Sequence, residues 1–182
     1  RLNSAALSDG RPTPEPPFDN IHRVDERAQN LGVARSWSWQ ISEAANEGDV
    51  YPVRPSRNTN AKIRVGYLSA DFHDHATAHL MRGVFQAHDR ENFSIHAYSH
   101  GPDDGSAYCD SIRVSCDQFV DISAFNDREA ANLIHRDGVD ILVDLKGHTR
   151  HNRLGICARR PAPLQATYLG FPGTSGAEFF DY

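Results

Sequence analysis

The stretch Ile134–Thr149 reads IHRDGVDILVDLKGHT and carries the clearest fold signal in the chain. Its centre, Asp140–Leu145, is apolar at nearly every position, which predicts a strand buried on both faces. Before this strand, Gly138 follows a basic turn, as a glycine at the end of a helix does. The stretch therefore predicts a helix, a tight turn and a buried strand, which together form a repeating unit of parallel α/β sheets.

The same alternation of strands and helices extends in both directions from this unit. Strands are predicted at Ile63–Leu68, Phe93–Tyr98, Gln118–Ile122, Asp140–Leu145 and Leu164–Leu169. Helices are predicted at about Thr77–His88, Gly105–Cys116, Asp127–Arg136 and Arg153–Ala158. Strands that alternate with helices of this length imply a parallel sheet with right-handed crossovers. The sequence thus predicts an α/β domain over residues 61–182, a Rossmann-like parallel sheet with flanking helices.

The first 60 residues differ in composition from the rest of the chain. Residues 1–17 are rich in proline and predict a linker. Helical spacing of apolar residues predicts two helical stretches, one before Gly32 and one from Ala34 to Ala45, with the glycine interrupting them. Residues 48–60 contain further prolines and predict a connector. We interpret residues 1–60 as a Pro-rich linker and helical segment that precedes the α/β domain.

Composition excludes several classes of protein. Hydrophobic residues are 39% of the 182 residues, enough for a packed core, and the net charge of −5 disfavours nucleic acid as a partner. No apolar run approaches a membrane span, and the first 30 residues lack the apolar segment of a signal peptide. The three cysteines, Cys109, Cys116 and Cys157, match no zinc spacing. We expect a cytoplasmic protein with free thiols and no membrane partner.

Three loops are dense in polar, basic and glycine residues, and each follows a predicted strand. They comprise residues 69–79, 146–153 and 170–176, after the first, fourth and fifth strands. Ligands of parallel α/β sheets bind beyond the carboxyl ends of the strands. We therefore expect the three loops to meet at one edge of the sheet and to form the functional site.

Acid–base chemistry is one interpretation of these loops. A histidine backed by a carboxylate is suited to taking a proton from a hydroxyl near neutral pH. Asp71 and His75 are close enough in sequence to form such a pair. The structural alternative is that the aspartate caps a turn and that the histidine packs on the end of the sheet.

Metal binding is a second interpretation. His73, His75 and His79 resemble a ligand cluster to which Asp71 and Asp74 could add oxygens. However, His73 and His75 are two residues apart in a loop, whereas His75 and His79 are four apart on a predicted helix. Two different backbone geometries would have to bring these side chains to one ion, and the usual zinc motifs are lacking. We expect no metal site.

Phosphate binding is a third interpretation. Ser69 and Thr77 lie near a predicted helix N-terminus, and Gly147 and Thr149 lie in the opposite loop, so backbone N–H groups and hydroxyls could face an anion. Residues 146–160 contain five lysines and arginines and no acidic residue. Such a local basic stretch suits a negatively charged substrate. The chain lacks a Gly-x-Gly-x-x-Gly motif after the first strand and a Walker lysine, which argues against an ordinary NAD site and against a P-loop.

Four stretches of the chain carry highly specific motifs. They read RVGYLSADFHDHATAHL (Arg64–Leu80), HAYSHGPDDGS (His96–Ser106), IHRDGVDILVDLKGHT (Ile134–Thr149) and RRPAPLQATYLGFPGTSG (Arg159–Gly176). In this order they resemble the catalytic region of protein O-GlcNAc transferases and of the related Spindly-type O-fucosyltransferases. The resemblance extends from Lys62 to Tyr182, and departures such as Ala76 in place of the proline of animal enzymes resemble bacterial-type members.

The resemblance implies a glycosyltransferase-B architecture, in which the active site lies between two Rossmann-like halves. This chain would be the N-terminal, acceptor-side half of the catalytic region. The C-terminal half, which supplies most nucleotide-sugar contacts, including a phosphate-binding lysine, would be absent from residues 1–182. Residues 1–60 would join the catalytic region to upstream tetratricopeptide-like repeats.

The resemblance also implies which residues form the site. Asp71 and His75 match the proton-handling positions, and His75 is the usual candidate base. The donor and sugar-pocket positions fall on Thr77, His148, Thr149, Leu169, Gly170 and Pro172. His148 replaces the tyrosine of animal enzymes, and this Gly-His-Thr form is shared with the Spindly-type branch, so the donor sugar stays open.

The function implied by the resemblance is inverting transfer of GlcNAc from UDP-GlcNAc to Ser or Thr hydroxyls of proteins, without a metal or other cofactor. One alternative is an O-fucosyltransferase that uses GDP-fucose, and another is a non-catalytic module that docks peptides. The expected partners are an acceptor protein or peptide, a nucleotide sugar and the C-terminal catalytic half. The N-terminal half alone is expected to be inactive.

Overall fold

A computed structural model describes residues 2–45, 51 and 61–182. The helices are α1 (Leu2–Ser8), α2 (Pro17–Ile21), α3 (Arg27–Ala45), α4 (Ala76–Ala87), α5 (Ala107–Ser115), α6 (Asp127–Arg136) and α7 (Leu154–Ala158). The strands are β1 (Ile63–Ser69), β2 (Phe93–Ser99), β3 (Gln118–Asp121), β4 (Ile141–Asp144) and β5 (Leu164–Thr167). Over the described residues, no helix combines the length and apolar character needed to cross a membrane.

The five strands form one sheet in the order β3-β2-β1-β4-β5, and every neighbouring pair is parallel. β1 lies at the centre, where Val65 pairs with Ile95 of β2 on one side and with Ile141 of β4 on the other. The predicted parallel α/β sheet is confirmed. The helices and strands predicted after residue 61 agree with the observed ones to within two residues at each end.

Local capping interactions explain why the helices begin and end where they do. At the start of α6, the Asn126 side chain accepts from the backbone N–H of Glu129 (2.9 Å), while the Glu129 carboxylate accepts from the N–H of Asn126 (2.8 Å). This reciprocal pair is a capping box. After α6, Gly138 adopts a φ of 72°, the left-handed conformation that favours glycine. The helix stop expected from Gly138 is therefore confirmed.

Two apolar layers cover the faces of the sheet. Successive side chains of a strand point to opposite faces, so Tyr67 packs into the layer beneath α4 and α5, whereas Leu68 packs into the layer beneath α6 and α7. Leu142 of the predicted buried strand lies in the second layer and is fully buried. Burying an aliphatic side chain of this size contributes about 1.5–3 kcal/mol to the free energy of unfolding. Both faces of the sheet are therefore needed for stability.

The N-terminal segment is more helical than its sequence predicts. Helix α1 occupies residues that were expected to be a linker, and α3 runs without interruption through Gly32. The prediction that Gly32 separates two helical stretches is wrong, because this glycine allows close packing between α1 and α3. A Cβ at Gly32 would lie only 2.9 Å from Cδ1 of Leu7. The predicted connector, residues 48–60, lies outside the described residues except for Tyr51.

Helix α3 is attached to the α/β domain at both its middle and its end. The Ser38 hydroxyl donates to the carbonyl of Ser175 (2.8 Å), in the loop after β5. The Arg159 guanidinium, which follows α7, donates to the carbonyl of Ala45 (2.9 Å). The Ser38 contact places the middle of α3 against the loop after β5, at the edge of the sheet at which the polar loops lie.

The close approach of Gly101 to the loop after β1 provides a test of this fold. A Cβ at Gly101 would lie 1.8 Å from the backbone oxygen of Ala70, so Gly101→Ala must displace the loop. We expect a loss of about 3 kcal/mol in the free energy of unfolding, the upper range for overpacking. In the control, Gly83→Ala in α4, the new Cβ meets nothing within 4 Å. This control should gain up to about 1 kcal/mol from helix propensity. Equal urea midpoints for the two variants would contradict the packing described.

Candidate active site

The three polar loops meet at the carboxyl edge of the sheet, as the topology predicts. The Lys146 ammonium, after β4, donates to both carboxylate oxygens of Asp71, after β1, at 2.9 and 2.8 Å. The loop after β5 lies against the end of β4, since a Cβ at Gly170 would come within 1.9 Å of the carbonyl oxygen of Leu145. The expected convergence is therefore confirmed.

Asp71 lies at the buried centre of this edge. Its side chain is 8% exposed and its ion-pair partner Lys146 is 7% exposed. The Asp71 backbone N–H donates to the Ser69 hydroxyl (3.0 Å), and the Thr77 hydroxyl donates to Oδ2 of Asp71 (3.4 Å). Removing one partner of a buried ion pair leaves an uncompensated charge and typically costs about 3–5 kcal/mol. The carboxylate is thus held by Lys146 after β4 and by Thr77 in α4, while Ser69 holds the Asp71 backbone.

His75 lies beside Asp71 but is open to solvent. It is the N-cap residue of α4, and its Nδ1 accepts a hydrogen bond from the backbone N–H of Thr77 (3.2 Å). The same Nδ1 lies 3.6 Å from Oδ2 of Asp71, and 42% of the His75 side chain is exposed. The structure brings the two predicted catalytic residues together, and of the two, His75 is the one that a substrate could reach.

His148 and Thr149 bind neighbouring backbone. Nε2 of His148 lies 2.8 Å from the carbonyl oxygen of Ser175 and 3.2 Å from the Ser38 hydroxyl, so the ring joins the loops after β4 and β5 to α3. Burial lowers the pKa of His148, which keeps the imidazole neutral and its Nε2–H directed at the carbonyl. Thr149 donates to the carbonyl of Lys146 (2.8 Å). Both residues anchor the loops, and their roles in sugar binding stay predictions.

The predicted sugar-pocket residues after β5 occupy a tightly turned loop. Leu169 has a φ of 68°, which is unusual for a residue with a side chain, and 41% of it is exposed. Such backbone strain costs on the order of 1–3 kcal/mol and is common where a loop carries a binding function. Pro172 is exposed and Gly170 is half-buried. The loop therefore presents Leu169 and Pro172 to solvent, as a binding loop would.

The three histidines of the metal interpretation have separate surroundings. Nε2 of His79 lies 2.7 Å from Oδ1 of Asp74, and its ring stacks on Tyr108 with centroids 4.0 Å apart. The rings of His73 and His75 are 5.6 Å apart. Over the part of the chain that the structure describes, no three His, Cys, Asp or Glu side chains are grouped as a metal would require. These histidines do not form one ligand set.

Most of the basic stretch at 146–160 makes internal contacts. Arg153 donates to Asp127 (2.8 Å) and Arg160 donates to Asp181 (3.0 Å). Arg159 donates to the last carbonyl of α3, as described above. For these three arginines the structure shows contacts within the chain, and anion binding by the basic stretch stays a prediction. The three arginines lie at the two ends of the short helix α7, from which their side chains reach α6, α3 and the segment after β5.

Two buried groups of the site were missed by the sequence analysis. Asp144, at the end of β4, is fully buried; its Oδ2 accepts from the N–H of Gly147 (2.6 Å), and among the described residues its Oδ1 has no partner. Burial raises the pKa of Asp144 to about 6. Burial, together with the charges of Arg153 and Lys146, lowers the pKa of His100 to about 4. The acidic position in an otherwise apolar strand was the available signal for Asp144.

Comparisons with known proteins agree with the motifs. Residues 41–182 match the family model of glycosyl transferase family 41. A probable UDP-N-acetylglucosamine--peptide N-acetylglucosaminyltransferase of Arabidopsis thaliana, SEC, is 40% identical over 121 residues, which are 66% of this chain and 12% of that protein. The corresponding Caenorhabditis elegans enzyme is 37% identical over 134 residues, 73% of this chain and 12% of the relative. A Petunia hybrida relative named SPINDLY is 28% identical over 151 residues, 81% of this chain and 16% of its own length.

A solved structure supports the same relationship. A mutant of the Thermobaculum terrenum O-GlcNAc transferase superimposes with a TM-score of 0.79 and 30% sequence identity. The match covers 91% of this chain and 32% of the Thermobaculum chain. This chain therefore spans about a third of that structure and a smaller share of the curated relatives.

The buried carboxyl of Asp144 predicts a characteristic pH dependence. Its folded pKa of about 6 lies above the unfolded value of about 3.9, so its contribution to stability is fully present below about pH 4 and is lost as pH rises through 6. Asp144→Asn cannot ionise, so its stability relative to wild type should rise between pH 4 and 7, on the order of 2 kcal/mol. Urea unfolding at several pH values measures this difference.

The control for this measurement is Asp25→Asn, which removes a carboxylate in an exposed position. As a surface substitution, it is expected to stay within about 0.5 kcal/mol of the wild-type free energy of unfolding. If the free energies of unfolding of wild type and Asp144→Asn differ by the same amount at every pH, the raised pKa of Asp144 is contradicted.

Proposed function

Because the chain belongs to glycosyl transferase family 41, we propose that it is the acceptor-side half of an inverting protein O-GlcNAc transferase. The proposed reaction moves GlcNAc from UDP-GlcNAc to a Ser or Thr hydroxyl of a protein. The observation that carries the proposal is the exposed His75 ring at the start of α4, next to the buried Asp71 carboxylate. Both lie at the carboxyl edge of the sheet, where ligands of such folds bind.

The proposed chemistry needs three contributions from the site. An inverting transfer passes through an oxocarbenium-like state, so the hydroxyl must be aligned, its proton must be handled, and charge on the departing diphosphate must be stabilised. We assign proton handling to His75, the more exposed of the pair, with Asp71 next to it. Thr77 lies in the first turn of α4, where the helix N-terminus favours the phosphates.

The docking-module alternative is less well supported by these contacts. A surface that only binds peptides needs neither a carboxylate held by a buried ammonium nor a histidine placed beside it. The fucosyltransferase alternative is less well supported by the relatives, since even those named SPINDLY carry the designation UDP-N-acetylglucosamine--peptide N-acetylglucosaminyltransferase. We therefore favour UDP-GlcNAc as the donor.

The whole protein is proposed to contain further parts. A C-terminal, donor-binding half would complete the active site, which agrees with the match to 32% of the Thermobaculum chain. Residues 1–60 would connect to tetratricopeptide-like repeats upstream. We also propose a reducing, cytoplasmic location, since Cys109, Cys116 and Cys157 are all free thiols.

The donor and the need for a metal can be tested in one experiment on the polypeptide that carries both proposed halves. Acceptor peptide is incubated with UDP-GlcNAc or GDP-fucose, with and without excess EDTA, and mass spectrometry identifies the sugar added. We expect addition of one N-acetylhexosamine, undiminished by EDTA. Addition of a deoxyhexose would favour the fucosyltransferase, and titration calorimetry that detects binding of neither donor would favour the docking module.

The two-half proposal predicts the behaviour of residues 1–182 on their own. Without the donor-binding half, they should show no transfer and at most very weak affinity for the nucleotide sugar. Adding the separately expressed donor half should restore some activity if the halves associate. Robust transfer by residues 1–182 alone would refute the two-half arrangement.

Replacing His75 tests its proposed role in proton handling. In the polypeptide with both halves, His75→Ala should lower kcat by about 10²–10⁴-fold, the range typical of general acid–base groups. Donor affinity should change much less, because the contribution is made mainly in the transition state. Steady-state kinetics and a melting curve are measured on the same preparation.

The matched control is His79→Ala, one turn further along α4, where the ring contacts Asp74 and Tyr108. This variant should lower the melting temperature and leave kcat per folded molecule intact. The same pattern in His75→Ala would remove His75 from the mechanism and make Asp71 the next candidate.

A further inference from the structure

Nδ1 of His75 lies between two groups that require opposite protonation states. The backbone N–H of Thr77 is a donor, so a hydrogen bond to it needs an Nδ1 without a proton. The Asp71 carboxylate is an acceptor, so a hydrogen bond to it needs Nδ1–H. In the neutral imidazole one ring nitrogen carries the proton, and the contact that Nδ1 makes therefore decides which one.

The distances favour the contact with Thr77. Nδ1 is 3.2 Å from the Thr77 nitrogen, within hydrogen-bonding range, but 3.6 Å from Oδ2 of Asp71, which is beyond it. The neutral ring therefore carries its proton on Nε2. In this state Nε2 is a hydrogen-bond donor. It becomes able to accept a proton only when the ring proton lies on Nδ1, which then donates to Asp71 and no longer accepts from the Thr77 N–H.

Lys146 explains why the carboxylate does not take this hydrogen bond. Its ammonium binds both oxygens of Asp71 at 2.9 and 2.8 Å within a buried site, and so satisfies the charge of the carboxylate. Without Lys146, the hydrogen bond that the carboxylate would keep among the described residues is the long one from the Thr77 hydroxyl (3.4 Å). An unpaired buried charge is costly, and Nδ1 of His75, 3.6 Å from Oδ2, is placed to supply a charge-assisted hydrogen bond.

Resting on the proposed function for the identity of the reactive histidine, we propose that Lys146 is a positioning residue that sets the tautomer of His75 through Asp71. With Lys146 bound to Asp71, His75 keeps its contact with Thr77 and carries its proton on Nε2. Loosening of the Lys146–Asp71 ion pair moves the proton to Nδ1 and exposes the lone pair of Nε2. The ion pair thereby decides whether His75 meets a substrate oxygen as a donor or as a base.

The test reads the tautomer directly and does not depend on transferase activity. The intact polypeptide is labelled with ¹⁵N-histidine, and long-range ¹H–¹⁵N correlation spectra are recorded at about pH 8, where imidazoles are neutral. His75→Gln identifies the signals of His75 among those of the ten histidines. We expect Nδ1 of the wild type at the far-downfield position of an unprotonated ring nitrogen, and a signal there from Nε2 instead would overturn the proposal.

Three variants complete the experiment. Lys146→Met should exchange the positions of the Nδ1 and Nε2 signals, because the freed carboxylate accepts a hydrogen bond from Nδ1–H and so favours the ring with its proton on Nδ1 in place of Nε2. Lys146→Arg keeps the cation, and the double variant Asp71→Asn with Lys146→Met removes both charges, so both should keep the wild-type pattern. A Lys146→Met spectrum like that of the wild type, or a double variant that still switches, would refute the role of Lys146.

A further variant keeps the test decisive if Lys146→Met is unstable. Should Lys146→Met fail to fold, Lys146→Gln takes its place, because it also removes the charge but keeps a polar side chain at the buried position, and it should switch the tautomer in the same way. If the polypeptide lacks transferase activity while the tautomers behave as expected, the proposed function fails and the link between Lys146 and His75 stands.

Discussion

The buried ion pair between Lys146 and Asp71 is the interaction on which the candidate site depends. It joins residues 75 positions apart in the chain and connects the loops that follow the central strand β1 and its neighbour β4. Two charges in a buried position must be paired closely, since either alone would carry a large desolvation penalty. Asp71 is therefore fixed next to the first turn of α4, and His75, the N-cap of that helix, has one well-defined neighbour on its buried side.

A second set of contacts fixes the opposite side of the site. The His148 ring joins the loops after β4 and β5 to the Ser38 hydroxyl of α3, and its neutral state suits hydrogen bonds to a hydroxyl and a carbonyl. Helix α3 is in turn held at its end by Arg159. The N-terminal helices are thus part of the support for the loop that carries Leu169 and Pro172. The proposed transferase would need such support, because these loops would have to keep their shape while a second half and a substrate bind against them.

The arrangement separates charges that hold the structure from groups that are open to ligands. Asp71, Lys146 and Asp144 are buried, and Arg153 and Arg160 bind carboxylates of the same chain. His75, by contrast, keeps a large part of its ring in solvent. In the proposed transferase, the reactive ring is therefore controlled from its buried side by charged groups that never need to touch the substrate, and anion stabilisation is left to helix N-termini and to the donor-binding half.

The sequence by itself determined the sheet and the place of the site. Apolar runs, helix caps and Gly138 are local signals, and the rule that parallel strands present their carboxyl ends at one edge was enough to bring the three loops together. Tertiary structure alone decided which partners the polar side chains chose. The pairing of Lys146 with Asp71, the use of Arg159 at the end of α3 and the passage of α3 through Gly32 all depend on segments distant in sequence. Long-range contacts of this kind have no local periodicity, because they are selected by burial and charge compensation once the elements have packed.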